Sequence, residues 1–283
     1  MLLSLLCAVS FSASVLLCVG TGAFDTLAFL WLLPVGCVGC FLLLAALGFG
    51  FLLLYCRRID PEQTWEEDTP WFRWLIMEYI HTILTVLPVR VRTRGMEKAP
   101  TQGRFLLVCN HLDNIDPVFL YYCFPKSQMA FIAKQETKKM FLVNKVMPKL
   151  LCPTINREND REALKTILRC ISLLKNDTVS IAVFPEGGIN KYRKLAHFRP
   201  GVFKIAQKAK VPIVVCTLRN TNHVLGRLTK LKGSTVDVHL LDVLQPEDFA
   251  EITTVELAEQ IYAMMAADLG PENILLPAEE EKT

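Results

Sequence analysis

Residues 105–116 read FLLVCNHLDNID, an apolar run from Phe105 to Cys109 that gives way at once to a polar loop carrying Asn110, His111 and Asp116. An apolar run of that length, bounded by polar turn residues, is the pattern of a buried strand. Pro117 follows, and Asp then Pro is how helices begin, because Asp is a favoured N-cap and Pro a favoured first helical residue. The stretch therefore reads as strand, loop and helix start. His111 and Asp116 stand five positions apart, an offset that on a regular helix turns side chains by about 140°, so they meet only across a loop. Two readings stay open here: Asp116 caps helix 117–123 while His111 is a surface residue, or the two form an acid–base pair.

The same alternation runs outward in both directions. Strand-like VRVRT (89–93), MAFIA (129–133), PTINR (153–157), VSIAVFP (179–185), VPIVVCTL (211–218) and TVDVHLLDV (235–243) are interleaved with helix-like segments near 117–123, 136–147, 160–175, 200–209 and 247–268. Alternation of this kind predicts an α/β domain with a mostly parallel or mixed sheet flanked by helices.

A second polar loop has the same placement as the first. After VSIAV come Phe184, Pro185, Glu186, Gly187 and Gly188, then the basic stretch containing Lys191, Arg193, Lys194 and Arg199. Ligands of α/β sheets bind beyond the carboxyl ends of strands. Glycines there expose backbone N–H groups to an anion, and the cations add positive potential. Between the two loops, Arg157 ends a short strand-like segment and offers a guanidinium fork suited to phosphate. The plainer alternative is a Gly turn followed by a solvated basic face.

The amino-terminal fifth is chemically different. From Met1 to Cys56 the only charged side chain is Asp25, and every Lys and Arg lies from Arg57 onward. Leu2–Ala23 and Thr26–Cys56 each exceed the roughly 20 apolar residues that a membrane helix needs. They predict a membrane-anchoring hairpin or two transmembrane helices over 1–58, the second one tilted or broken at Pro34, Gly36 and Gly39. Arg57 and Arg58 then place the remainder in the cytoplasm by the positive-inside tendency. A cleaved signal peptide fits less well, since the basic start is missing and a second apolar run follows at once. Residues 59–88 read as an acidic linker and an interfacial or packing helix, 89–275 as the main domain, and 276–283 as an acidic tail.

Several function classes drop out. With a net charge of +3 and no basic block interleaved with aromatics, nucleic acid is not the expected partner. The ten cysteines divide five and five about Arg57 and mostly sit in apolar surroundings, as reduced thiols do. Cys109 lies close enough in sequence to raise thiol catalysis, but on a strand it faces the sheet layer, away from a loop-borne imidazole. No GxSxG, GxxxxGK[ST] or HExxH occurs, and the remaining histidines lack ligand spacing, so neither a metal nor a cofactor is called for.

The order of these blocks resembles the glycerolipid acyltransferase family, especially the 1-acyl-sn-glycerol-3-phosphate acyltransferases. That family carries NHxxxxD, an Arg-bearing block, FPEGxxS and a VPIVP-like strand. The matches here are Asn110, His111 and Asp116; Arg157; Phe184, Pro185, Glu186 and Gly187; and Val211 to Val214. Asp113, Gly188 and Val215 depart from the usual residues. The resemblance implies transfer of a fatty acyl group from acyl-CoA or acyl carrier protein to the sn-2 hydroxyl of 1-acylglycerol 3-phosphate (lysophosphatidic acid), giving phosphatidic acid among membrane lipids. It makes His111 the base and Asp116 its orienting partner. It assigns substrate binding to Asn110, Arg157, Glu186, Gly187, Gly188, Lys191 and Arg193. Glu186, unable to attract phosphate, is expected to bond a glycerol hydroxyl or hold a basic side chain. The rivals are another lysophospholipid or glycerol 3-phosphate as acceptor, and a non-catalytic anionic-lipid-binding membrane protein.

Overall fold

The computed structural model describes residues 1–156 and 159–276. Arg157 and residues 277–283 of the acidic tail lie outside the described residues.

Two helices lead the chain, α1 (Leu2–Gly20) and α2 (Phe29–Arg57), packed against each other. Both are long and apolar enough to cross a membrane. Of the two alternatives for α2, tilt or a break around Pro34, Gly36 and Gly39, the break is absent, and α2 runs unbroken through Pro34 for 29 residues. Gly36 has a packing role instead. A Cβ there would lie 3.0 Å from Ser14 Oγ on α1, so the two helices approach through small residues. Ser14, fully buried at this crossing, returns its hydroxyl to Ser10 O at 2.7 Å. At 1.5 Å per residue α2 is about 44 Å long, more than the ~30 Å of a hydrocarbon core. The surplus at its carboxyl end packs on the domain, where Leu52 and Cys56 are buried.

The third helix, α3 (Pro70–Val86), joins the core through Phe72, Ile76 and Leu84, while Trp71, Trp74, Ile83 and Val86 stay exposed. One face of this helix thus packs on the domain and the other, bearing two tryptophans, is exposed. Arg73, 5% exposed, bonds Asp68 at 2.8 and 2.9 Å, Met129 O at 2.7 Å and Leu150 O at 2.9 Å. One guanidinium so pins the acidic linker to two distant segments of the domain.

The domain proper runs β1 (Val89–Arg94), β2 (Leu106–Cys109), α4 (Asp116–Cys123), β3 (Met129–Phe131), β4 (Ala133–Lys134), α5 (Val143–Lys149), β5 (Thr154–Ile155), α6 (Asp160–Lys175), β6 (Ser180–Val183), α7 (Lys204–Ala209), β7 (Ile213–Arg219), α8 (Val224–Leu228), β8 (Ser234–Leu244) and α9 (Thr254–Leu269). Six strands form one mixed sheet in the order β1-β8-β7-β2-β6-β3, with helices against it. Four consecutive strands, β7, β2, β6 and the edge strand β3, are mutually parallel, whereas β8 is antiparallel to β7 and carries β1 parallel beside it. Every residue of β2 and β6 is buried, as in parallel strands covered on both faces.

Several expected elements divide, two of them beside the site. MAFIA leaves the main sheet after Phe131, and Ala133–Lys134 pairs with β5 in a separate two-stranded ribbon. The helix expected over 136–147 is a 3-10 turn, Gln135–Lys139, followed by α5, interrupted where Leu142 adopts φ +64°.

Since Leu106 pairs with Ile181 and Val108 with Val183, β2 and β6 end side by side. The loops holding His111 and Glu186 therefore emerge next to each other at the carboxyl edge of the sheet.

Candidate active site

His111 Nδ1 lies 2.8 Å from Asp116 Oδ2, which also accepts the backbone N–H groups of Leu112 at 2.7 Å and Asp113 at 2.9 Å. The carboxylate, fully buried, thus closes the 111–116 loop on itself and grips the ring with the same oxygen. The N-cap role expected for Asp116 is not realised. Ile115 holds that position with no side-chain cap bond, and Asp116 is the first residue of α4. The helix N-terminus and two backbone donors offset the cost of burying its charge. Its Oδ1 has no partner among the described residues.

Phe184 supplies what the sequence reading missed, a shelf for the imidazole. The two rings stack with centroids 4.0 Å apart and planes 9° from parallel, and Phe131 backs Phe184 at 5.9 Å. With Nδ1 tied to Asp116 and one face on Phe184, the ring presents Nε2 as its available nitrogen.

Glu186 holds backbone. Its Oε1 accepts the His111 backbone N–H at 2.7 Å and its Oε2 that of Ala196 at 3.0 Å, and no basic side chain bonds it among the described residues. Burial raises its pKa to about 8 against the pull of those two donors. Asn110, expected to bind substrate, is also consumed by the fold. Only 1% exposed, it accepts from Leu218 N at 2.7 Å and donates to Leu218 O at 3.0 Å, extending the β2–β7 ladder by a side chain.

Arg193 donates to Leu112 O and stands 3.6 Å from Asp113 Oδ2, bracing the histidine loop from outside. Asp113, one of the departures from the family pattern, is thus the acidic side of that brace. Lys191 lies 5.0 Å over the Tyr192 ring. Gly187 has φ +82°, a left-handed conformation that favours glycine. Cys109 is fully buried, and burial pushes its thiol well above the ordinary range, which removes it as a nucleophile.

Two hollows meet at this edge. The first, of about 940 Å³, is largely apolar and runs from His111 and Phe184 past Ile76 and Ile80 of α3 and Val146 of α5 to Leu52 of α2. The second, of about 860 Å³, is polar and basic, with Lys134, Lys138, Lys139 and Arg199 on its walls beside Glu186 and Gly187. Lys134, Gly188, Ile189 and Asn190 border both. No cluster of three potential metal ligands occurs among the described residues.

An imidazole–carboxylate pair whose histidine lines the apolar hollow, with the basic hollow adjoining, has the make-up of a general-base site for group transfer. The comparisons specify the group. Residues 90–219 match the family model described as Acyltransferase. A probable 1-acyl-sn-glycerol-3-phosphate acyltransferase of Mycoplasma pneumoniae is 28% identical over 66% of this chain and 74% of its own length. The Borreliella burgdorferi enzyme of that name is 27% identical over 57% of this chain and 65% of its own, and the Salmonella typhimurium one 28% identical over 62% and 71%. The crystal structure of the 1-acyl-sn-glycerophosphate acyltransferase of Thermotoga maritima shares the fold, with a TM-score of 0.58 at 24% identity, covering 78% of this chain and 86% of that one. Over residues 90–219 the chain is similar to the acyltransferase family, and it is an O-acyltransferase.

Proposed function

We propose that the protein transfers a fatty acyl group from a thioester, carried by CoA or acyl carrier protein, to the sn-2 hydroxyl of 1-acylglycerol 3-phosphate, giving phosphatidic acid. His111 Nε2 takes the hydroxyl proton as the oxygen attacks the thioester carbonyl. Asp116 keeps the proton on Nδ1 and stabilises the imidazolium that forms. Collapse of the tetrahedral adduct breaks the C–S bond, and the imidazolium returns its proton to the leaving thiolate. Atoms and charge balance without any cofactor.

The observation that carries this reading is the 2.8 Å His111–Asp116 pair at the meeting of an apolar hollow and a basic one. An amphiphile with an acyl chain and a phosphate needs both environments at one reacting oxygen. The relatives' names support this choice of acceptor. The apolar hairpin anchors the enzyme in the bilayer that holds acceptor and product, with Arg57 and Arg58 on the cytoplasmic side.

The test is a panel of acceptors given to the purified, detergent-solubilised protein. We expect lysophosphatidic acid to be preferred over uncharged monoacylglycerol, and His111→Ala to lower kcat by about 10²- to 10⁴-fold while the protein still melts in a cooperative transition. Preference for an acceptor without phosphate overturns the choice of acceptor. Undiminished transfer by His111→Ala overturns the mechanism.

A further inference from the structure

Among the basic side chains around the site, most are already engaged. Arg193 is bonded to the histidine loop, Lys138 Nζ is 2.7 Å from Glu62, and Lys191 sits over Tyr192. Arg199 differs: it is exposed on the wall of the basic hollow, and its guanidinium has no hydrogen-bond or ion-pair partner among the described residues. Yet its backbone is held. Arg199 N donates to Pro185 O at 2.8 Å, and Ala196, three residues earlier, donates to Glu186 Oε2.

The side chain lies directly over Gly187. A Cβ built there would meet Arg199 Nε at 2.6 Å and Cδ at 3.0 Å. Glycine at 187 therefore serves two needs at once, a left-handed turn and an open path for this guanidinium across it. The same carboxylate, Glu186, reaches the His111 backbone with its other oxygen, so the turn that carries Arg199 and the loop that carries the base are fixed to one another.

We propose that Arg199 is the anion anchor of the site, its planar fork taking a phosphate group of one of the two substrates beside the His111 loop. The assignment rests on the acyl-transfer reading above. It gives the phosphate to a residue outside the FPEGG turn, and it leaves Arg193 and Asn110 as braces. Phosphate reaches this hollow from two sources, the acceptor's phosphomonoester or the phosphates of a CoA donor. Either suits a guanidinium that presents two parallel donors.

The experiment compares wild type, Arg199→Ala, Arg199→Lys and Gly187→Ala, full length in mixed micelles. The acceptors are lysophosphatidic acid and monoacylglycerol; the donors are acyl-CoA and a phosphate-free acyl N-acetylcysteamine thioester. Arg199→Ala should raise KM for one phosphate-bearing substrate about tenfold or more with kcat little changed, and Arg199→Lys should fall between. If the acceptor is the source, the preference for lysophosphatidic acid over monoacylglycerol collapses. If the donor is, the preference for acyl-CoA over the phosphate-free thioester collapses. Gly187→Ala, which displaces the guanidinium, should reproduce the effect, and adding Arg199→Ala to it should cost nothing further. Both KM values within twofold of wild type in Arg199→Ala would overturn the anchor.

A readout without turnover separates this inference from the reading beneath it. Inorganic phosphate should raise the melting temperature of wild type and not of Arg199→Ala. If that difference holds while wild type transfers no acyl group, the acyl-transfer reading falls and the anchor stands. If wild type transfers acyl groups but phosphate stabilises both proteins equally, the anchor falls alone.

Discussion

Glu186 shows how one residue can be legible as important and opaque as to why. Its place after an apolar strand marks it as part of a site, but its work is to accept two backbone N–H groups from loops 75 and 10 residues away in sequence. That role has a pH signature. Burial lifts its folded-state pKa to about 8, above the ordinary value of 4.5, so the folded protein holds this proton more tightly than the unfolded chain does. The stability it contributes is complete below pH 4.5 and is lost as the pH rises through about 8. We expect the melting temperature to fall across that window, and Glu186→Gln to flatten the fall while lowering stability overall, because an amide has one acceptor for two donors. Melting curves across the pH series measure both effects. Asn110 teaches the same lesson: its motif position is plain in the sequence, but a buried bond to Leu218 on another strand is not.

At the scale of elements, α3 decides how the hairpin is mounted. The sequence 70–87 reads equally well as a helix at the bilayer surface or a core helix, and in the structure its apolar residues are spread around two faces, one buried and one exposed. The polar exception is Arg73, which no periodicity argument selects. It ties the 59–69 linker to the ends of β3 and α5 through Asp68, Met129 O and Leu150 O. Arg73→Met should therefore destabilise the domain by about 3–5 kcal/mol, since it strands a buried carboxylate and two carbonyls. Thermal unfolding in detergent checks this; a shift near zero would mean the linker is not held through Arg73. The split of MAFIA between two sheets was likewise unreadable, because five apolar residues look alike whichever partner strand claims them.

At the scale of the whole molecule, the apolar hollow is the feature with the largest functional consequence. Its wall is assembled from α2, α3, α5 and the histidine loop, segments that share no motif and no spacing. Filling it should discriminate by chain length. Ile80→Trp is expected to depress kcat/KM for long-chain substrates relative to short ones, by about fourfold for each methylene kept in water at ~0.8 kcal/mol. A series of acyl chains assayed on wild type and variant gives the slope, and an equal loss at every length would argue that the acyl chain lies elsewhere.

Local chemistry alone determined much of this protein. Alternating apolar and polar segments set the α/β class, the apolar amino terminus with Asp25 as its one charged side chain set the helical hairpin, and NHLDNID with FPEGG marked the loops of the site, because each is written in residues adjacent along the chain. Only the tertiary structure decided which strands pair, that one oxygen of Asp116 serves both ring and loop, that Phe184 floors the imidazole, and that Arg193 is engaged while Arg199 is not. Those outcomes depend on distances between residues far apart in sequence, and such distances are set by how the helices and sheet pack together.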